Sequence, residues 1–411
     1  MPRCTFLLLC LATGLALPMQ YFQSPPHAAE AAPEFATFVD EYFDAYFNWK
    51  PSEGTSVGLH HYDAKLEDRS AAAVARRIEI VKTLLQRLKK LRNVPLTPDD
   101  AMDAEVLDGQ MRAELLDLET LANWRRNPMN YISTPAEAID GLMKRNFAPA
   151  PQRLGSVIGR LKAVPALLAA LQANVENPPR EFTDLAIRMG EGGIGFFRDT
   201  VAEWARETAG TDLVLLKEFQ TANGPVVKVM EEAVAWLKKE LLPRSKGSYA
   251  IGGDNFAKQL FYEEMVDLPL DKLLAIGEAN LKNDQEAFAA TAKKIDPTKT
   301  PAEVMKALAD DHPSEADLVP AVKETIEKIR QFLVDKHIVT VPSEVRPTVR
   351  ETPPFARNGS FASMDTPGPY ETKATEAFYY VTPPETDWDP KHKEEHLRMF
   401  NRPVIQIVTI H

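Results

Sequence analysis

Two of the eight histidines have a spacing suited to metal chemistry. His392-Lys393-Glu394-Glu395-His396 reads H-x-x-E-H, which on a helix sets both imidazoles on one face with a carboxylate beside the second. Asp389-Pro390 supplies a cap and a first residue for such a helix. The flanks argue against a metal, because the stretch 387–398 is crowded with charge and lacks the apolar surround that dries a zinc site. A solvated, charge-patterned helix is the expected reading. His60-His61 follow Gly58 in loop-like sequence, and adjacent side chains point in different directions, so a shared metal is not expected. His312 and His337 are isolated and read as surface or structural residues. No G-x-S-x-G nucleophile elbow occurs, and both cysteines, Cys4 and Cys10, lie in an N-terminal leader, so no residue is assigned as a covalent nucleophile.

The leader has Arg3 followed by the apolar run 6–17, with Gly14-Leu15-Ala16 at cleavage spacing. It predicts a signal peptide over 1–17 and export to the periplasm or outside the cell. Leu7-Leu8-Leu9 lacks the small residues that precede a lipid-modified cysteine, which argues against attachment at Cys10. No later stretch reaches the roughly 18 apolar residues of a membrane span, so none is expected. Lys+Arg 48 against Asp+Glu 59 gives a net charge of −11, and no basic run offers a nucleic acid its counter-charge.

Elements able to position these groups are mostly helices, so the expected fold is mainly α, a large multi-helix body with a small β element near the C-terminal end. After a spacer over 18–33, helical periodicity runs through a body at 34–337. Val74, Ile78, Val81, Leu85 and Leu88 form one stripe of a helix capped by Ser70, with Arg76, Arg77, Lys89 and Lys90 on its solvated side. Another helix starts at Thr97-Pro98-Asp99-Asp100. Thr134-Pro135-Ala136-Glu137 and Thr300-Pro301-Ala302-Glu303 have the capping-box form. Further amphipathic segments cover 153–174, 183–206, 212–241, 270–294 and 314–336. The glycines at 190–195 lie inside one of them with no Lys-Ser/Thr pair behind, which reads as a helix break or a close helix contact rather than a phosphate loop. From 338 on, β-branched and aromatic runs at 338–341, 345–349 and 377–382 predict short strands. The run 404–410 is the most apolar outside the leader. β-Branched residues there favour a strand, whereas Val404, Ile407, Val408 and His411 at steps of three and four, with Asn401 as cap, fit a helix.

In order and spacing the chain resembles the zincin-like "domain of unknown function 885" proteins, many of them assigned as exported bacterial metallopeptidases. The resemblance rests on Pro51, Thr55, Gly58, His60, Tyr62, Asp63, Leu66, Asp68 and Ser70 near the start. It continues through Asn127-Pro128 with Tyr131, Arg160-Leu161 with Val164-Pro165, Asn174 and Pro178-Pro179, then Gly252-Gly253 with Phe256 and Gly277. It ends with Glu351-Thr352-Pro353, Phe378-Tyr379-Tyr380-Val381 and Thr409-Ile410-His411. It implies that His411 is the first zinc ligand of a motif whose Glu and second His would follow it, so that 338–411 begins a zincin-like catalytic region, incomplete at the C-terminus. It also tips 401–411 toward helix. The implied whole protein is a zinc-dependent peptide hydrolase, and this chain, with one ligand, is expected to bind no zinc and to be inactive. Zincins commonly align substrate on an edge strand, and Phe378, Tyr379, Tyr380 and Val381 are the expected peptide-binding residues. An exported helical binding or scaffold protein is the alternative from local features alone.

Overall fold

The structure, a computed structural model, describes residues 33–411; the leader and its two cysteines lie outside the described residues. Helices form where the caps and apolar stripes place them. Ser70 Oγ accepts from the Ala73 amide at 3.2 Å and opens the helix Ala71–Leu91. Thr97 Oγ1 accepts from the Asp100 amide at 3.1 Å and opens Pro98–Leu115. Thr300 and Glu303 complete a reciprocal capping box. At Thr134 the expected box does not form. The short helix Met129–Ile132 runs almost directly into Thr134–Lys144, so the Thr134 hydroxyl donates back to the Asn130 carbonyl at 2.6 Å and Glu137 is released from capping.

Helix Ala150–Asn174 is the centre of the largest apolar cluster, packed by Leu213–Trp236, Arg180–Gly195 and Thr134–Lys144. It is long and apolar enough to cross a membrane, yet it carries Arg153 and Arg160 and buries Leu154, Val157, Leu161 and Val164 against other helices. The glycine-rich segment stays helical. A Cβ at Gly190 would come within 2.6 Å of Val234, and one at Gly193 within 2.8 Å of Met230, so these glycines permit close helix approach and mark no break. A second cluster joins Pro33–Trp49, Ala71–Leu91 and Pro98–Leu115 through Phe35, Phe38, Val81, Leu88 and Met111. Arg77, expected on the solvated side of its helix, is 2% exposed because it lies between Val74 and Val81 at the edge of the buried stripe.

The C-terminal part holds a three-stranded sheet in the order β1–β3–β2: β1 (Thr348–Glu351) runs parallel to β3 (Phe378–Val381), and β2 (Ala362–Asp365) antiparallel. The run 338–341 is not a strand. Ile338 and Val339 are more than half exposed and no neighbouring strand pairs with them, so β-propensity had nothing to act on. The last apolar run is a helix, Arg402–Ile410, capped by Asn401 through the Val404 amide at 3.1 Å. It buries Ile405 against Leu318, Val322, Tyr379, Val381 and Phe400, whereas Ile407 and Ile410 are 57% and 61% exposed. Ile405→Ala should therefore cost about 2–5 kcal/mol of local stability. Ile407→Ser with Ile410→Ser should leave the melting temperature unchanged and reduce self-association in light scattering. Equal melting losses from both changes would show that the outer face is also packed.

Candidate functional site

β3 divides two environments. Successive side chains on a strand alternate in direction, and all four of its residues are buried. Tyr379 and Val381 point into the cluster under the last helix. Phe378 and Tyr380 point the other way, where Lys144 Nζ sits 5.7 and 5.4 Å from their ring centres and Arg145 is 5.6 Å from Phe378. Both edges of β3 are paired, Tyr379 with Val349 on one side and Met364 on the other. This corrects the expectation for Phe378, Tyr379, Tyr380 and Val381: the strand is central, so its main chain has no free edge to offer a peptide. Any such edge belongs to β1 or β2.

His411 follows the helix Arg402–Ile410, exposed, its amide donating to the Ile407 carbonyl at 3.3 Å. One turn earlier Thr409 Oγ1 meets Tyr379 Oη at 3.3 Å, which ties the helix end to β3. Among the described residues no group of three His, Cys, Asp or Glu is placed to hold a metal ion. A catalytic zinc takes about three protein ligands, so His411 alone does not fit one. The H-x-x-E-H segment is the helix Pro390–Met399, capped by Asp389 as expected, but its groups are committed elsewhere. His392 stacks on Trp388 at 3.9 Å, His396 Nε2 is 2.9 Å from the Thr382 carbonyl, Glu394 is 3.1 Å from His312, and Glu395 pairs with Lys391.

On the side of the sheet that Phe378 and Tyr380 face lies a cavity of about 320 Å³. Ser52, Glu53, Thr55, Ser56 and His60 form one wall, Glu137, Gly141, Lys144 and Arg145 another, and Asp365, Gly368 and Glu371 a third, with Arg160 and Phe147 behind. His60 is held on three sides. Nδ1 is 3.3 Å from Asp63, Nε2 is 3.0 Å from Glu371, and the ring lies on Phe147 at 3.9 Å. Burial alone would raise the Glu371 carboxyl, but the amides of Lys373 and Ala374 together with His60 hold it below the usual range. Burial likewise works against the Lys144 ammonium, which Asp140 and Asp365 nonetheless hold above its usual range. Arg145 donates to the Glu376 carbonyl at 2.6 Å and pairs with Asp365. Arg160 is 1% exposed and donates to the Lys65 carbonyl at 3.0 Å, the Thr55 hydroxyl at 2.6 Å and the Ala138 carbonyl, and burial pushes its guanidinium down to about 10.

Thr55, Gly58, His60, Asp63 and Arg160 all belong to the residues that carry the family resemblance, and the fold gathers them at this one cavity. Sequence reasoning treated His60 as a loop residue and passed over Glu137, Lys144, Arg145, Asp365 and Glu371. Their common signal was only an excess of charge in segments that otherwise read as helix or turn.

Residues 51–411 match the model of a family described as "Bacterial protein of unknown function (DUF885)". Among solved structures, one from Shewanella oneidensis, described as a "putative lipoprotein of unknown function", superposes with a TM-score of 0.67 at 24% identity, covering 92% of this chain and 70% of that chain. Another from Colwellia psychrerythraea, described likewise as a lipoprotein, gives 0.66 at 12% identity with the same coverage. At these identities the likeness is one of fold. No curated protein matches the chain.

Proposed function

The chain belongs to the DUF885 family of bacterial proteins of unknown function, and on that premise we propose that it is the N-terminal part of an exported zinc-dependent peptide hydrolase. The observation that supports this most is the placement of the last helix. Ile405 seats it on the sheet and Thr409 meets Tyr379 across it, so His411 stands at a fixed point beside a small sheet. That is where a helix-borne first metal ligand belongs in a zincin-like fold. The remaining ligands and the general base are assigned to polypeptide outside this chain, and peptide alignment to the outer edge of β2 or β1. Export is supported by the leader and by the neighbours described as lipoproteins.

The test compares this chain with a reading frame extended to the length of its structural neighbours. The extended protein should hold one zinc and cleave a fluorogenic peptide, and this chain should do neither. In the extended protein His411→Ala should lower activity more than the roughly 10–100-fold typical of groups one shell out from a metal. Retention of zinc and activity by that variant would overturn the assignment.

A further inference from the structure

The cavity beside His60 is separate from the proposed metal helix, which lies across β3 on the face that Tyr379 presents. Most of the charges lining it are already answered. His60 has Asp63 and Glu371, Lys144 has Asp140 and Asp365, Arg145 has Asp365, and Glu53 has Lys50 at 2.9 Å. Two are not. The Arg160 guanidinium touches two carbonyls and a hydroxyl, while Asp63 and Glu67 are close enough to be felt but make no ion pair with it. Glu137 opens onto the cavity, hydrogen-bonded to Ser133, and among the described residues no cation pairs with it. A charge withdrawn from water is costly without a counter-charge, and here one group of each sign is left over in the same enclosure.

We propose that this cavity binds a small zwitterion, a free α-amino acid or short unblocked peptide, with its ammonium on Glu137 and its carboxylate turned toward Arg160 and Lys144. The volume of about 320 Å³ sits at the small end of ligand pockets, which suits one or two residues and excludes a long peptide. Gly141 adds room for a side chain, because a Cβ built there meets nothing within 4 Å. The pre-paired Lys144 and Arg145 hold the wall in place through Asp365 on β2, so the site is formed before the ligand arrives.

Calorimetric titration of the whole chain with L-alanyl-L-alanine tests this, with N-acetyl-L-alanyl-L-alanine and L-alanyl-L-alanine amide as probes blocked at one end. The free dipeptide should bind one to one, and each blocked form about tenfold or more weaker, as expected for loss of one charge-assisted contact. Glu137→Gln should weaken the free dipeptide about tenfold and leave the acetylated probe unchanged. Gly141→Leu should abolish binding by filling the cavity, with the melting temperature held or raised. Equal affinity for free and acetylated dipeptide, no saturable heat at millimolar dipeptide, or unchanged binding by Gly141→Leu would overturn the proposal. The readout is binding without turnover, so it is independent of whether the extended protein is a peptidase.

Discussion

Replacing Arg77 with Ala is expected to cost about 3–5 kcal/mol, the range for breaking a buried ion pair by removing one partner. Arg77 grips Glu114 with two parallel bonds of 2.7 and 2.8 Å and donates a third, of 3.0 Å, to the Ala45 carbonyl. One side chain thus ties together the helices Pro33–Trp49, Ala71–Leu91 and Pro98–Leu115. Without it the Glu114 carboxylate, 15% exposed, stays among apolar groups with no cation. Tyr42 is already pushed up to about 12 by burial and by the negative charge of Glu114. Urea unfolding followed by circular dichroism measures the loss, and Arg77→Met with Glu114→Leu separates its causes. If the uncompensated charge is responsible, the double variant should recover most of the stability. A single-variant loss below about 1 kcal/mol would place the pair in the class of solvated surface bridges.

Arg77 also marks where sequence periodicity stops being informative. The stripe at Val74, Val81 and Leu88 was legible because apolar spacing reports which side faces inward. Whether a residue at the margin of that stripe meets water or a partner depends on Glu114, 37 positions away. The same division holds elsewhere. Thr97, Thr300, Asp389 and Asn401 cap helices as read, since a cap needs only its own next three residues. Thr134 has the same local pattern and fails as a cap because the preceding helix claims its hydroxyl. β3 was legible from Phe378-Tyr379-Tyr380-Val381, but its central position was not, because β2 has the unremarkable sequence Ala362-Ser363-Met364-Asp365 and joins only by pairing. Of the cavity, the half drawn from 51–63 was visible as a cluster of matched residues. Asp365 and Glu371 arrive from some 300 positions further along, which no local pattern encodes.

How that distant half is held leads to the second large effect, which is predicted for Gly58→Ala. Gly58 has φ +101, in the region that disfavours a Cβ, and a Cβ there would overlap the main chain of Tyr370 and Glu371. Across the contact, a Cβ on Gly368 would overlap the main chain at Ser56 and Val57, and the Tyr370 amide donates to the Val57 carbonyl at 2.9 Å. Two backbones therefore lie directly on each other, and that contact delivers Glu371 to His60. Main chain cannot swing aside as a long side chain can, so the substitution must both strain residue 58 and lift the 368–371 loop. The strain alone is worth about 1–2 kcal/mol, and separating the loop adds the loss of the Glu371 contacts. A fall in stability of about 3 kcal/mol, the upper part of the usual range for point changes, is the expected result. Faster proteolytic nicking at 366–372 and weaker dipeptide binding should accompany it. Gly141→Ala is the control: the same atom is added to an ordinary helical position with open space, where it should stabilise by about 0.5–1 kcal/mol. Equal melting temperatures for the two variants would mean that the loop does not rest on Gly58, and that the third wall of the cavity is set by the sheet alone.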